Sequence, residues 1–147
     1  MTDFRTFAKE AEAALRAVFA PTPLQKNEHL SAIYGADIWL KREDLSPVRS
    51  YKLRGAFNAM RKLPEQKDFV CASAGNHAQG FAFACNHLKI NGTVFMPLPT
   101  PKQKIDRVKM FGAEYIKIIL KGDTYDDSQK EAEKYLINCL IFSPFFN

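Results

Sequence analysis

One lysine lies at the start of a predicted helix, in the segment Ser50-Tyr51-Lys52-Leu53-Arg54-Gly55. Apolar residues recur at helical spacing after it, which predicts a helix that follows Ser50. The helix dipole disfavours a cation at this place by about 0.3–1 kcal/mol. The same field favours a neutral amine, which is the form that attacks a carbonyl carbon. Lys52 is therefore a candidate nucleophile, although a single lysine is most often a solvated surface residue.

A second segment with chemical potential is Ser73-Ala74-Gly75-Asn76-His77-Ala78-Gln79-Gly80, between a predicted strand and a predicted helix. Backbone N–H groups at such a junction bind anions, and Gly75 lets a ligand approach the backbone closely. The segment is not a nucleotide P-loop, because Phe81-Ala82 follows where Lys-Ser/Thr is required. The simpler alternative is a tight turn in which Asn76 caps the helix.

These segments belong to a pattern in which strands and helices alternate. Alternation of this kind predicts βαβ units, and therefore an α/β fold with a parallel sheet and flanking helices. Asp3 and Asp123 are predicted helix caps, Gly35 a helix end, and Trp39 a core residue. The predicted strands cover 36–41, 68–73, 93–96, 114–120 and 140–142, and the predicted helices 4–18, 25–34, 76–88, 101–110, 125–135 and the segment after Ser50.

The composition is that of a globular domain, with 46% hydrophobic residues in 147 and a net charge of +5. Basic and acidic residues alternate and form no basic block, which argues against nucleic-acid binding. No apolar run approaches the about 18 residues that span a membrane. Cys71, Cys85 and Cys139 match no metal spacing and are expected to be small buried side chains, as in a cytoplasmic protein. No metal site is expected.

The two segments occur together with three further motifs, Pro21-Thr22-Pro23-Leu24, Leu40-Lys41-Arg42-Glu43-Asp44 and Met96-Pro97-Leu98-Pro99-Thr100-Pro101. In this order and spacing, they resemble the fold-type II pyridoxal-phosphate (PLP) enzymes, and most closely the threonine dehydratase branch. The resemblance runs from about residue 4 to the end of the sequence. It implies a fold like that of the tryptophan synthase β subunit, and pyridoxal 5'-phosphate as the cofactor.

The resemblance also implies roles for residues at matching positions. Lys52 matches the lysine that carries the cofactor and moves the substrate proton, and Tyr51 would lie beside the cofactor ring. Asn76 matches the residue that hydrogen-bonds the phenolic oxygen of the cofactor. The substrate carboxylate would be held by Ser73, Ala74, Gly75, Asn76 and His77, and for His77 an orienting role and a chemical role stay open.

The activity implied for the complete enzyme is deamination of L-threonine to 2-oxobutanoate and ammonia, a step of isoleucine biosynthesis, carried out by a homo-oligomer in the cytoplasm. Two alternatives stay open. Serine racemase and serine dehydratase share these motifs, so that L-serine is a second possible substrate. A non-catalytic α/β fragment that acts as an interaction module is the alternative from another class.

The resemblance divides the sequence into two parts. Residues 1–66 would be the first segment of a large PLP-binding domain, and residues 67–147 a small α/β domain. The glycine-rich loop that holds the cofactor phosphate in the family is absent, since all seven glycines are isolated. The fold is therefore expected to be incomplete, and the chain truncated and inactive alone.

Overall fold

The computed structural model describes residues 3–135 and 140–141. It divides the chain into two compact units, Met1–Tyr51 and Lys52–Asn147, called here the first and the second unit. The predicted boundary between residues 66 and 67 concerns the domains of a longer protein, and it stays a prediction.

The first unit contains two helices and a two-stranded antiparallel ribbon. The predicted helix over 25–34 begins later than expected, because its first residues pair as a strand instead. The helix then starts after Asn27, whose side chain accepts a hydrogen bond from the Leu30 N–H at 2.9 Å. Gly35 ends it with φ at 59°, as predicted. The elements are α1 (Phe4–Arg16), β1 (Leu24–Lys26), α2 (Glu28–Tyr34), β2 (Trp39–Lys41) and a 3₁₀ turn (Glu43–Leu45).

Side-chain contacts explain why the Pro-Thr-Pro-Leu and Leu-Lys-Arg-Glu-Asp motifs occur together. The Thr22 hydroxyl donates to the Glu43 carboxylate at 2.6 Å, and the Lys41 ammonium donates to the Thr22 carbonyl. Arg42 reaches across the ribbon to the Gln25 side-chain oxygen at 2.6 Å. The two motifs are thus the two ends of one ribbon, held by polar contacts as well as by strand pairing.

One prediction for this unit is wrong. Trp39 is 53% exposed, because it lies on a two-stranded ribbon whose strand residues are all exposed. Asp3 occupies the N-cap position of α1, as predicted, but its side chain makes no capping hydrogen bond, and its carbonyl oxygen accepts from the N–H groups of Thr6 and Phe7.

The second unit is a four-stranded parallel sheet with helices, in the strand order β5-β4-β3-β6. The predicted parallel sheet with flanking helices is confirmed, and Phe142 of the last predicted strand lies outside the described residues. No helix in the described part of the chain is long and apolar enough to cross a membrane. The elements are α3 (Lys52–Arg61), β3 (Asp68–Ala72), α4 (Asn76–Leu88), β4 (Asn91–Met96), α5 (Lys102–Gly112), β5 (Ile116–Leu120), α6 (Tyr125–Lys134) and β6 (Leu140–Ile141).

The sheet of the second unit is covered on both faces. On one face, Val70, Phe95 and Ala132 of α6 form a buried cluster. On the other face, α4 lies so close to β4 that a Cβ on Gly92 would be 2.5 Å from Cys85 Sγ. Burial on both faces explains why β3 is almost entirely apolar rather than alternating.

Two helix caps differ from the predictions, although both helices begin at the predicted residue. Thr124 rather than Asp123 caps α6: its hydroxyl accepts from the Asp127 N–H, and the Asp127 carboxylate accepts from the Thr124 N–H at 3.1 Å. These hydrogen bonds from Thr124 lower the pKa of Asp127. Gly75 rather than Asn76 occupies the cap position of α4. In both cases the chain turns one residue away from the predicted cap, and the cap must directly precede the first helical residue.

The buried thiols of Cys71 and Cys85 predict a loss of stability at alkaline pH. Both are fully buried, as predicted, and burial raises the pKa of each. The unfolded chain therefore loses these protons above about pH 8.5 while the folded chain keeps them. The free energy of unfolding should fall by about 1.4 kcal/mol per pH unit for each thiol. Cys139 lies outside the described residues.

The measurement is urea unfolding between pH 7 and pH 10, compared with a Cys71→Ala/Cys85→Ala variant. The variant starts from a lower stability because of the lost packing, but its stability should fall less steeply as the pH rises. Equal slopes for the two proteins would show that these thiols do not titrate on unfolding.

Candidate active site

The candidate site begins at the carboxyl end of β3. The strand order changes direction there, because β4 lies on one side of β3 and β6 on the other. In open parallel sheets, ligands bind outside the carboxyl ends of the strands at such a point. The segment that follows β3 here is the turn Ser73–Gly75 and the first turn of α4, so the fold places the sequence motif where a ligand site is expected.

Hydrogen bonds to neighbouring groups fix the turn after β3. The Ser73 N–H donates to the Phe95 carbonyl of β4 at 3.0 Å, and the Ser73 hydroxyl accepts from the Gly75 N–H at 3.2 Å. Ser73 and His77 are buried, whereas Asn76 is exposed at the start of α4. The turn is therefore rigid, with the Asn76 amide on its open side.

Two of the five backbone N–H groups predicted to hold a carboxylate already have partners: that of Ser73 donates to the Phe95 carbonyl of β4, and that of Gly75 to the Ser73 hydroxyl. The start of α4 has no side-chain cap. The first N–H groups of a helix have no carbonyl partner within the helix, and they carry the positive end of its dipole. The groups best placed to receive an anion are those of the first turn of α4.

Gly80 brings the candidate lysine to this turn. A Cβ on Gly80 would lie 3.0 Å from the Leu53 nitrogen and 3.3 Å from the Lys52 carbonyl carbon, so α4 touches the backbone of the first turn of α3. Asn76 lies four residues before Gly80, or about 6 Å along the helix axis. Helix packing therefore places the backbone of Lys52 beside α4, about one helical turn along the axis from Asn76.

The electrostatics of Cys71 agree with this position of Lys52. Burial is the main cause that raises the pKa of the Cys71 thiol and the neighbouring Cys85 adds to it, while the positive charge of Lys52 acts in the opposite direction. Cys71 belongs to β3, so the charge of Lys52 acts on the strand that leads into the Ser73–Gly75 turn. Tyr125, at the start of α6, also interacts with Cys71, and burial is the main cause that raises its pKa.

The chain enters α3 through a tight turn of the first unit. The Ser50 N–H donates to the Ser46 hydroxyl at 2.9 Å, and the Arg49 N–H donates to the Ser46 carbonyl at 2.9 Å. Arg49 has a φ of 56°, an uncommon left-handed conformation for a residue with a side chain. Tyr51, predicted to lie beside a cofactor ring, is 64% exposed in this structure.

Several residues near the turn were not singled out from the sequence. Gly80 was part of the motif, but its spacing gave no sign that it touches Lys52 and Leu53. Gln79, Lys104 and Arg107 line a pocket beside Asn76, and α5 brings the last two there from about 30 residues away in the sequence. Within the ranges that the structure describes, no group of three or more His, Cys, Asp or Glu side chains could hold a metal ion.

Curated relatives match the greater part of the chain. The biosynthetic L-threonine dehydratase of Halalkalibacterium halodurans is 52% identical over 128 residues, which are 85% of this chain and 31% of the relative. That of Bacillus subtilis is 52% identical over 126 residues, which are 84% of this chain and 30% of the relative. The chain thus spans about a third of the length of these relatives.

Solved structures share the fold. The processed form of threonine deaminase isoform 2 from Solanum lycopersicum superposes with a TM-score of 0.83 and 34% identity, over 99% of this chain and 42% of the other. A serine racemase from Dictyostelium discoideum has a TM-score of 0.84 at 24% identity, over 97% of this chain and 47% of the other, a likeness of fold alone. The predicted fold class, that of a partial tryptophan synthase β-like domain, is confirmed.

The family described as pyridoxal-phosphate dependent enzyme matches residues 15–147. The match includes the lysine segment, the turn after β3 and every element of the second unit. The cofactor predicted from the resemblance, pyridoxal 5'-phosphate, is that of this family. The chain belongs to the pyridoxal-phosphate dependent enzymes.

Proposed function

We propose that this chain supplies the lysine-bearing part of a pyridoxal-phosphate dependent L-threonine dehydratase, which converts L-threonine to 2-oxobutanoate and ammonia. The observation that carries the proposal is the contact of Gly80 with the backbone of Lys52 and Leu53. It brings an amine, an amide and the start of a 13-residue helix to one end of the sheet. The identity to biosynthetic threonine dehydratases supports the choice of reaction.

The residues around this contact fit one end of the cofactor. Pyridoxal phosphate carries an aldehyde, which reacts with a primary amine, next to a phenolic oxygen, which accepts hydrogen bonds. Lys52 supplies the amine, and Asn76 supplies an amide with two N–H donors. A Cβ on Gly75 would meet no atom within 4 Å, so there is open space beside the turn. Lys52 and Asn76 are therefore the residues of this chain that would hold the cofactor.

When bound, the cofactor withdraws electrons from the Cα of the amino acid joined to it. The chain's own residues position the amino acid and move protons. The Lys52 amine accepts the Cα proton, since a positioned general base contributes about 10²–10⁴-fold. The first turn of α4 and the Ser73–His77 turn hold the substrate carboxylate, which fixes the Cα bond that can break. Tyr51 would lie beside the cofactor ring.

The activity is tested in a chimera in which residues 1–147 replace the matching segment of the Bacillus subtilis relative. We expect 2-oxobutanoate from L-threonine at a higher kcat/KM than pyruvate from L-serine, and no D-serine. A higher kcat/KM with L-serine, or formation of D-serine, would support a serine dehydratase or racemase instead. A folded, cofactor-loaded chimera without any turnover would favour a non-catalytic module. Residues 1–147 alone, assayed beside it, test the expectation that they are inactive.

Asn76→Ala should affect turnover far more than stability. The side chain is exposed and does not cap α4, so its removal should change the free energy of unfolding by less than about 0.5 kcal/mol. Turnover of the chimera should fall at least about tenfold, because the orienting hydrogen bond to the cofactor is lost. Both quantities are measured by urea unfolding and by steady-state kinetics.

Asn86→Ala is the matched control on the same helix. The Asn86 amide donates to the Phe111 carbonyl at 3.1 Å and holds α4 against the end of α5. Its loss should cost about 1 kcal/mol of stability and leave the turnover of the folded chimera unchanged. If Asn86→Ala lowered turnover and Asn76→Ala lowered only stability, the role proposed for Asn76 would be wrong.

We also propose that the whole protein is a cytoplasmic homo-oligomer in which residues 1–66 belong to the large domain and residues 67–147 form the small one. Support for assembly comes from the first unit, where several large apolar side chains are exposed, among them Leu24, Ile33, Tyr34 and Trp39. Such a concentration is typical of surfaces that are covered by other protein. Size-exclusion chromatography with light scattering of the chimera tests the oligomeric state.

A further inference from the structure

We propose that the second unit carries a phosphate-binding site between α4 and α5. It borders the candidate active site at Gly75 and Asn76, whereas Gln79, Gln103, Lys104 and Arg107 have no part in the proposed dehydratase reaction. A pocket of about 370 Å³ lies there, within the size range of small-ligand sites. Two helices build it, with the start of α4 on one side and the first two turns of α5 on the other. The residues that line it are Gly75, Asn76, Gln79, Gln103, Lys104 and Arg107.

Gln79 is the residue that points to a ligand. It is only 6% exposed, yet its side-chain amide makes no hydrogen bond to residues 3–135 or 140–141. No polar side-chain atom of these residues is both fully buried and without a hydrogen-bond partner. Since the Gln79 amide has no such partner, it must be accessible from the pocket that it lines. A buried amide normally has a hydrogen-bond partner. Here, that partner would be a molecule in the pocket.

The charges of the pocket select an anion. Lys104 and Arg107 are three residues apart on α5 and therefore share one face of the helix. Neither forms an ion pair with a carboxylate in the described ranges, and no acidic residue lines the pocket. Asp106, which is also on α5, lines an adjacent cleft that shares Gln103 and Arg107 with this pocket. The positive end of the α4 dipole adds to the field of the two cations.

The number of donors favours phosphate over a carboxylate. Arg107 can donate two parallel hydrogen bonds, and Lys104 adds a point charge. The side-chain amides of Gln79 and Gln103 add further donors. A carboxylate has two oxygens to share among these donors, whereas a phosphate has three or four. The ligand is therefore inorganic phosphate or the phosphate group of a small organic molecule.

The site is tested by isothermal titration of the chain with inorganic phosphate, at constant ionic strength so that screening does not change. Acetate serves as the carboxylate probe and glycerol phosphate as the phosphate monoester. We expect saturable binding of phosphate and none of acetate. Tighter binding of glycerol phosphate would identify an organic phosphate as the ligand, and tighter binding of inorganic phosphate would identify the free ion. Equal affinity for acetate, or no saturable binding of either phosphate, would overturn the proposal.

Substitutions inside and outside the pocket show where phosphate binds. Arg107→Gln and Lys104→Gln remove charges from exposed positions and should weaken phosphate binding by about 10- to 100-fold. Lys109→Gln makes the same charge change on the same helix, outside the pocket, and should weaken binding less than about twofold. Equal weakening by all three variants would show that phosphate responds only to net charge.

Gln79→Glu tests the buried amide with almost no change of shape. A carboxylate at this position would repel phosphate, and binding should be lost while the far-ultraviolet circular dichroism stays unchanged. In an NMR spectrum of the unsubstituted chain labelled with nitrogen-15, phosphate should shift the side-chain NH₂ signals of Gln79. The absence of any shift would overturn the assignment. Neither cofactor nor amino acid is present in these titrations, so their outcome is independent of the proposed dehydratase activity.

Discussion

Lys52→Ala in the chimera should lose the covalent cofactor and lower turnover by at least about 10³-fold. Gly80 holds the backbone of Lys52 and Leu53 against α4, whereas Lys104, a second amine near the start of α4, belongs to α5 and lines the neighbouring pocket. The loss of stability should be small, because Lys52 lies in the first turn of α3 and is only partly buried. The measurements are cofactor absorbance, steady-state kinetics, and peptide mapping after borohydride reduction.

The control for Lys52 is Lys62→Ala. Lys62 is an exposed residue just after the end of the same helix, so its removal should change neither cofactor binding nor turnover. Mapping of the reduced cofactor to Lys41 or Lys62 would overturn the assignment. Lys41 is already committed to the Thr22 carbonyl in the first unit, which is a structural reason to expect no cofactor there.

Substitutions at Gly80 should have the second-largest effect, through the position of Lys52 rather than through any contact with substrate. A methyl group on Gly80 would lie 3.0–3.3 Å from backbone atoms of Lys52 and Leu53, and a backbone cannot swing aside as a flexible side chain can. The helix α3 must therefore move by a few tenths of an ångström. Turnover should fall about 10- to 100-fold in Gly80→Ala and further in Gly80→Val.

The effect of Gly80→Ala on stability should be modest by comparison. Overpacking costs about 1–3 kcal/mol, but alanine gains about 1 kcal/mol over glycine within a helix. The two contributions partly cancel, so that turnover and not stability reports the displacement of Lys52. A fall in turnover that merely followed the fraction of unfolded protein would contradict a positioning role.

Gly55→Ala is the matched control for Gly80→Ala. It makes the same change in α3, where an added Cβ would meet no atom within 4 Å. It should raise the free energy of unfolding by about 0.5–1 kcal/mol and leave turnover unchanged. A loss of turnover here would mean that α3 tolerates no substitution, and the effect at Gly80 could not be assigned to its contact with Lys52.

Local sequence patterns determined most of the second unit. The helix Asn76–Leu88 was predicted with both of its bounds, because its apolar face is continuous and a short apolar strand and a glycine precede it. The alternation of strands and helices was sufficient for the parallel sheet, since such strands require long crossover connections. The motifs at residues 50–55 and 73–80, together with three further motifs in order, were sufficient for the family.

The errors fall where contacts between distant residues override local preference. Residues 25 and 26 were predicted to be helical, yet with Leu24 they form a strand because the Trp39–Lys41 strand offers them backbone partners. Trp39 is exposed because its ribbon has only two strands, which is not a property of its own segment. The error at the start of α6 is of another kind and is local: Thr124 rather than Asp123 directly precedes the first helical residue and forms a capping box with Asp127.

The sequence by itself determined the family, the fold class and the candidate residues, because these follow from local spacing and from motifs in order. Only the tertiary structure decided which residues of different helices and strands lie next to each other. Gly80 touches Lys52 and Leu53 because two helices cross there, and residues 28 positions apart in sequence carry no local pattern that predicts a crossing. The pocket of Gln79, Lys104 and Arg107 likewise exists only once α4 and α5 pack on one sheet. The distance between residues of two helices depends on how both helices pack on the sheet. It is therefore known only from the tertiary structure.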